Sequence, residues 1–348
     1  MTGSYSLSRK EGWRRFVDAA PRARPPQLAP DQLAGLGEAA RFEHDEARAE
    51  WHANFGTIAT PQLSGVYEEL ELIVASNRQD PDRLRGAAVI DGQPGLGKTT
   101  VVNLFARNFD RLERRRHGAV TEDGDERIPV FRVGLTSNTT LRTLNKMICE
   151  FYGHPGADRG SAAQLASYAL DCVLRCASRV GVIDDIHFID QRSRDGIAVN
   201  NHLKWLANEL PVTFIYAGVG LAERRFFAEG LTGPASALAQ TARRWTRLPV
   251  AAFTPGQKQE WLALVKAIEQ QLVLARARPG QLAGQAEYLF ARTGGHIGSL
   301  MTLITRGCYK AVKTGTEALT PELLETVRID EASEQARRPL PTRKPDAA

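Results

Sequence analysis

Residues 92–99 read Gly-Gln-Pro-Gly-Leu-Gly-Lys-Thr, a complete G-x-x-x-x-G-K-[ST] pattern, and their setting gives the pattern physical meaning. The apolar run Ala87-Ala88-Val89-Ile90 precedes it and a helix-compatible stretch over 99–109 follows. A strand therefore feeds a glycine-rich turn that opens a helix. In that geometry the backbone N–H groups from Gly95 to Thr99 line a concave nest, and the helix N-terminus adds positive potential. Gly92, Gln93, Pro94, Gly95, Leu96, Gly97, Lys98, Thr99 and Thr100 form the candidate phosphate cradle. Lys98 is expected to reach the β/γ-phosphates, and the Thr99 hydroxyl to sit on Mg²⁺. A turn that binds nothing is the competing explanation, and a full motif between strand and helix argues against it.

A second segment, residues 179–188, reads Arg-Val-Gly-Val-Ile-Asp-Asp-Ile-His-Phe, an apolar strand ending in two carboxylates. Hydrolysis of a bound triphosphate needs one acid to hold Mg²⁺ and a second to orient or deprotonate the attacking water. Asp184 fits the first role and Asp185 the second. Taken alone, the pair could equally cap the following helix, since Asp is a good cap. Behind a phosphate loop, the catalytic reading is the stronger one.

At 348 residues the chain suits one large or two modest domains, and 43% hydrophobic content is ample for a packed core. No apolar stretch approaches the ~20 residues that cross a bilayer, and the N-terminus has no apolar export core. The expectation is a cytoplasmic protein with no membrane partner. Four cysteines, Cys149, Cys172, Cys176 and Cys308, lack zinc-cluster spacing and read as buried small residues. The formal net charge is +5, and the charge clusters. One run is Arg111, Arg114, Arg115 and Arg116; a second, Arg9, Lys10, Arg14 and Arg15, surrounds Trp13; a third, Arg337, Arg338, Arg343 and Lys344, lies in a Pro-rich tail. Each is either a solvated face or a surface for nucleic-acid phosphate.

Alternating strand and helix signals run from about residue 86 to 253. Strands are expected near 86–91, 128–135, 179–184, 212–219 and 246–253, with helices near 99–110, 139–152, 161–178 and 198–209, preceded by a helix over 61–76. That order implies an α/β fold with a five-stranded parallel sheet covered on both faces, and ligands beyond the carboxyl ends of the strands. After residue 254 four helical segments follow, near 257–272, 282–291, 297–312 and 321–327, separated by glycine breakers. The expected organisation is a helical N-terminal extension over 1–54, the P-loop core over 55–253, a helical lid over 254–328, and a disordered basic tail over 329–348.

A phosphate loop after the first strand, a carboxylate pair after a later strand and a small helical lid together resemble the AAA+ ATPases over residues 55–328. A finer likeness lies in residues 52–61 (His-Ala-Asn-Phe-Gly-Thr-Ile-Ala-Thr-Pro), 203–212 (Leu-Lys-Trp-Leu-Ala-Asn-Glu-Leu-Pro-Val) and 293–300 (Thr-Gly-Gly-His-Ile-Gly-Ser-Leu). These segments resemble the TniB/TnsC, Mu B-like, regulators of transposition. The resemblance implies ATP and Mg²⁺ as cofactors, adenine contacts near Thr60 and Pro61, and homo-oligomers in the ATP state. It also implies that Arg243 or Arg244, ahead of the fifth strand, reaches a neighbouring subunit's γ-phosphate; a surface arginine pair is the alternative. Two departures stand out. The carboxylate pair is Asp-Asp where relatives commonly carry Asp-Glu, and Val219 stands where many relatives have a polar γ-phosphate sensor.

The resulting expectation is an ATP-dependent, largely sequence-nonspecific DNA-binding regulator that oligomerises on duplex DNA and recruits or activates a transposase, with a target-selection protein as a further candidate partner. Arg114, Arg115, Arg116, Arg142 and Lys146 are the candidate DNA contacts. A signalling NTPase of the STAND type that acts on a protein partner without DNA is the alternative, and a loader or remodeller of a protein client is a third reading.

Overall fold

The structure, a computed structural model, describes residues 5–80, 83–190, 193–222 and 245–337. In chain order its elements begin with α1 (Lys10–Asp18), α2 (Pro30–Ala34), α3 (Glu38–Ala53) and α4 (Pro61–Ser76). The nucleotide-binding region follows as β1 (Ala87–Gly92), α5 (Lys98–His117), β2 (Val130–Gly134), α6 (Leu141–Tyr152) and α7 (Ala162–Arg175). Next come β3 (Val180–Asp184), α8 (Arg194–Glu209), β4 (Thr213–Gly218) and β5 (Trp245–Val250). The chain closes with α9 (Lys258–Glu269), α10 (Ala286–Thr293), α11 (Ile297–Thr314), α12 (Pro321–Glu325) and α13 (Glu331–Gln335).

Two compact units emerge, one of residues 1–20 with 62–251 and the other of 21–61 with 252–348. The segment expected as a single helical extension, 1–54, therefore divides between them. In the first unit the strands form a five-stranded sheet in the order β2-β3-β4-β1-β5. Every pairing is parallel, with Ile90 opposite both Ala217 and Leu248. Strands buried on both faces need continuous apolar runs, and β1, β3 and β4 supply them. Because β1 lies in the sheet interior, between β4 and β5, its carboxyl end is flanked by other strand ends, where ligands of such sheets bind.

Local chemistry explains where the elements depart from the expected bounds. α5 runs to His117 rather than 110, because Asp110 and Arg114 pair one turn apart at 2.7 Å and the helix stops only at Gly118, φ +79. α8 starts earlier than 198, at Arg194, because the Ser193 hydroxyl caps it by accepting from the Gly196 N–H. α1 packs on α5: Trp13 is buried and its Nε1 donates to Asp110 Oδ2 at 2.9 Å, while Arg111 donates to the carbonyls of Val17 and Ala19.

The second unit is all-helical among its described residues. Its core joins Trp261, Leu264, Ile268, Leu289, Leu303 and Leu324, with Phe55 and Ile58 packed against it. α3 lies along α11 and is tied in by polar contacts that burial makes expensive to break. Arg48, 1% exposed, pairs with Glu317 at 2.7 Å and with Asp45, and His52 Nε2 accepts from the Val273 N–H. The expected disorder from 329 onward needs correction. Residues 329–337 are ordered: Asp330 caps α13, Glu334 accepts from the Ile329 N–H, and Arg337 pairs with Glu325. The tail cations Arg338, Arg343 and Lys344 lie outside the described residues.

Candidate nucleotide site

Backbone conformation at the end of β1 follows from the glycines. Gly95 and Gly97 take positive φ, +72° and +88°, a region L side chains rarely adopt, and this lets the loop curl before α5. A Cβ on Gly92 would lie 2.1 Å from the Val250 carbonyl oxygen, so only glycine lets β1 leave the sheet beside β5. Leu96 anchors the loop in the core, 1% exposed, while Gln93, Pro94, Gly95, Thr99 and Thr100 face solvent. The loop is thus fastened from below and open above.

Lys98 opens α5 with its side chain folded back along the loop. Its Nζ donates to the carbonyls of Gly92 at 2.8 Å and Gln93 at 2.6 Å. Burial lowers its pKa from the usual lysine value, opposed by the charges of Asp91, Asp184 and Asp185. A cation held partly desolvated at the mouth of the nest is matched to phosphate oxygens, which would replace the two carbonyls as its partners.

Asp184, the last residue of β3, reaches the same point from the neighbouring part of the sheet. Thr99 Oγ1 donates to its Oδ2 at 3.3 Å, and Arg132 Nη2 donates to that same oxygen at 2.6 Å. A hydroxyl and a carboxylate converging in this way are the hard oxygen donors that Mg²⁺ takes, and Thr99 with Asp184 would hold it there. Asp185 takes φ +59°, a left-handed conformation Asp tolerates better than most residues, and its N–H donates to Asp184 Oδ1 at 3.0 Å. The kink turns the Asp185 carboxylate out of the strand, 51% exposed, and within 3.9 Å of His187 Nδ1. Lys98, Thr99, Asp184 and Asp185 are therefore brought together.

The turn after β4 has a different anchor. Asp91, 2% exposed, accepts from the N–H groups of Leu221 at 2.8 Å and Ala222 at 3.1 Å, and from Arg247 Nε at 3.0 Å. The segment at Val219 is held by its backbone and offers no polar side chain at that position. Asp91 and Arg132 are functional candidates missed by motif reading. Their signal was a charged residue inside an otherwise apolar strand, Ala87-Ala88-Val89-Ile90-Asp91 and Val130-Phe131-Arg132-Val133.

Other expected residues fall elsewhere. Thr60, 3% exposed, and Pro61, the first residue of α4, belong to the second unit, whereas the phosphate loop belongs to the first. Arg243 and Arg244 lie outside the described residues. Among the candidate DNA contacts, Arg114 has its guanidinium clamped between Asp110 at 2.7 Å and Asp18 at 2.6 Å, and the side chain is 15% exposed. Lys146 pairs with Asp158 at 2.7 Å, and Arg142 donates to the Gly160 carbonyl. Arg115 and Arg116 are exposed at the end of α5, about 26 Å along the helix from Lys98. Two of the N-terminal cations are also paired, Lys10 and Arg14 both binding Glu126 at the surface.

Residues 82–226 match the AAA domain family. No curated protein matches the chain. Among solved structures, the fold is similar to the Aeropyrum pernix ORC1 protein in complex with DNA, at 14% identity over 80% of this chain and 68% of that one, with a TM-score of 0.60. It is also similar to Cdc6p from Pyrobaculum aerophilum, at 14% identity over 79% and 68% of the two chains and a TM-score of 0.53. Drosophila ORC bound to DNA is a further match, at 14% identity over 91% and 71% and a TM-score of 0.52. At such identities the likeness is one of fold. Residues 82–226 thus match an AAA domain, and the chain has the α/β P-loop fold of the AAA+ proteins.

Proposed function

We propose that this chain is a nucleotide-gated, DNA-associated ATPase that assembles as a homo-oligomer on duplex DNA and regulates a transposase. The observation that carries the nucleotide part is the convergence of Lys98, Thr99 and Asp184 at the carboxyl end of the sheet. ATP would sit on the loop of residues 92–100, with adenine toward Thr60 and Pro61. Asp185 would act as base on the attacking water, and Arg243 or Arg244 would be supplied to a neighbouring subunit's γ-phosphate. A short carboxylate at 185 and an apolar Val219 favour slow hydrolysis, so the nucleotide state works as a switch that biases assembly rather than as a motor.

The DNA part is supported by the TniB/TnsC resemblance and by the fold relatives solved with DNA. Recognition would rest on backbone phosphates, because the sequence has no recognition-helix or zinc-finger pattern. With Arg114 committed internally, Arg115, Arg116 and Arg142 lead the contact set, and Lys146 joins only by leaving Asp158. The buried pairing of Arg114 with Asp110, together with the surface pairing of Lys146 with Asp158, is also what favours the second reading, a signalling switch on a protein partner. A titration of duplex DNA with and without ATP across salt concentrations separates the two. The transposition reading expects ATP-strengthened binding whose log K falls with log salt by about 0.9 per phosphate neutralised. No duplex affinity at low salt with ATP present hands the site to the protein-partner switch.

A further inference from the structure

Asp184 is the acid expected to face the metal, yet both of its oxygens are already engaged. Oδ1 accepts from the Asp185 N–H, and Oδ2 accepts from Thr99 Oγ1 and from Arg132 Nη2. The Arg132 contact is the shortest of these, 2.6 Å, and it is shielded, with the two side chains 13% and 8% exposed. Arg132 is held in place from the other side by its Nε–H, which donates to Asn103 Oδ1 on α5 at 3.2 Å. The arginine rises from β2, one strand over from Asp184, and Arg132 stands opposite Val182 in the register, on the strand that Asp184 ends. A guanidinium of fixed charge therefore occupies the carboxylate oxygen that lies nearest the Thr99 hydroxyl.

We infer that Arg132 is a positioning residue of the nucleotide site that keeps divalent cations off Asp184 until a triphosphate arrives. The inference rests on the reading of Thr99 and Asp184 as the metal-binding pair. Two physical effects act together. A charge-assisted bond in a shielded site is among the stronger hydrogen bonds, so the Asp184 oxygen has a partner that must be given up. A unit positive charge beside the same carboxylate also repels a second cation, and the low local dielectric strengthens that repulsion. A triphosphate changes the balance by adding several negative charges on the loop side, where Lys98 and the helix N-terminus already wait. Arg132 then yields Oδ2, so cation loading depends on triphosphate rather than preceding it.

The test uses Mn²⁺ as a spectroscopic probe, titrated by electron paramagnetic resonance into the full chain without nucleotide and then with ATP. The parent is expected to bind Mn²⁺ weakly alone and tightly with ATP. Arg132→Met, close in length but uncharged, is expected to tighten nucleotide-free Mn²⁺ binding by about tenfold to a hundredfold. Arg132→Lys keeps the charge and should stay near the parent. Adding Asp184→Asn to Arg132→Met should abolish the gain, which ties it to this carboxylate. A thermal melt without divalent ions checks that each variant is folded, and the metal-free affinity for a fluorescent ATP analogue checks the loop. Equal nucleotide-free Mn²⁺ affinity in the parent and Arg132→Met, with ATP-dependent binding intact in both, overturns the role of Arg132 and leaves the site assignment standing. Absence of Mn²⁺ binding in the parent even with saturating ATP overturns the metal reading itself, and the inference with it.

Discussion

Replacing Arg114 by Ala should weaken the fold and leave DNA affinity alone. The guanidinium bridges two carboxylates, and the one that matters is Asp110, whose side chain is 3% exposed. Breaking a fully buried pair by removing one partner costs roughly 3–5 kcal/mol, because the remaining charge is stranded. Here Trp13 Nε1 still donates to Asp110 Oδ2, so part of the charge stays satisfied and the cost falls to about 2–3 kcal/mol. For a unit formed by residues 1–20 and 62–251, each kcal/mol moves Tm by about 2–4 °C, giving a drop of roughly 5–10 °C. pH adds a signature. Burial already raises the Asp110 pKa above its usual value, and the contacts with Trp13 and Arg114 oppose that rise. A raised carboxyl pKa means that this group's stabilisation is greatest below the unfolded value near 3.8 and is lost as pH climbs through the folded one. Without Arg114 the folded pKa rises further, so the gap between variant and parent should narrow on acidification. Differential scanning fluorimetry at several pH values reads both effects, and Asp110→Asn in the Arg114→Ala background should recover part of the loss. An unchanged Tm together with a shallower salt dependence of DNA binding would refute the clamp and return Arg114 to the phosphate contacts.

Lys98→Ala should cost at least about a hundredfold in affinity for a fluorescent ATP analogue, since two or more charge-assisted contacts of about 1.5–3 kcal/mol disappear; unchanged affinity in a titration sinks the nucleotide site. Because burial lowers the Lys98 pKa, parent affinity for ATP should begin to fall at a lower pH than an ordinary lysine near 10.5 would give, with the loss growing as pH rises and neutralises the ammonium; a flat profile up to that value contradicts the desolvation. Asp185→Asn should bind ATP within about threefold of the parent and hydrolyse little, because Asn also accepts the left-handed backbone found at φ +59° while losing the base; hydrolysis at the parent rate shows that another group activates water. Arg115→Ala with Arg116→Ala should flatten the salt slope of duplex binding by up to about two phosphate contacts per subunit while leaving Tm unmoved, since both side chains are exposed; an unaltered slope excludes that end of α5 from the DNA surface.

The parallel sheet and its ligand edge were legible because their signals are local. Apolar runs of strand length alternate with amphipathic helices, and the phosphate loop carries its own backbone requirement in Gly95 and Gly97. β3 and its two acids follow from the same reading, with Asp184 as the last strand residue. What the sequence hides is which charges spend themselves on one another. Arg114 stands four residues after Asp110, a spacing that helical geometry turns into a contact, so that half of its fate was visible. The other half depends on α1 docking against α5 and carrying Asp18 and Trp13 with it, an arrangement of residues about a hundred positions apart. A basic run counted along the chain therefore overstates the charge available to a partner.

Asp91 and Arg132 show the opposite case, a local oddity in the sequence that marks the site but that motif reading passes over. A buried parallel strand excludes charge unless something repays the desolvation. An Asp at the end of β1 and an Arg in the middle of β2 therefore required companions of opposite sign or strong donors close by. The sheet order supplies them. β5 beside β1 brings Arg247 to Asp91, and β3 beside β2 brings Asp184 to Arg132. Both carboxylates lie at the end of the sheet where Lys98 begins its helix, and both act on Lys98 electrostatically. The apolar Val219 is consistent with this plan, because the turn after β4 is fixed through its backbone on Asp91 rather than through a side chain of its own. Charges built into the strands thus hold the elements around the phosphate loop in register, and a change at Asp91 alters the field at Lys98 from a residue outside the proposed metal-binding pair.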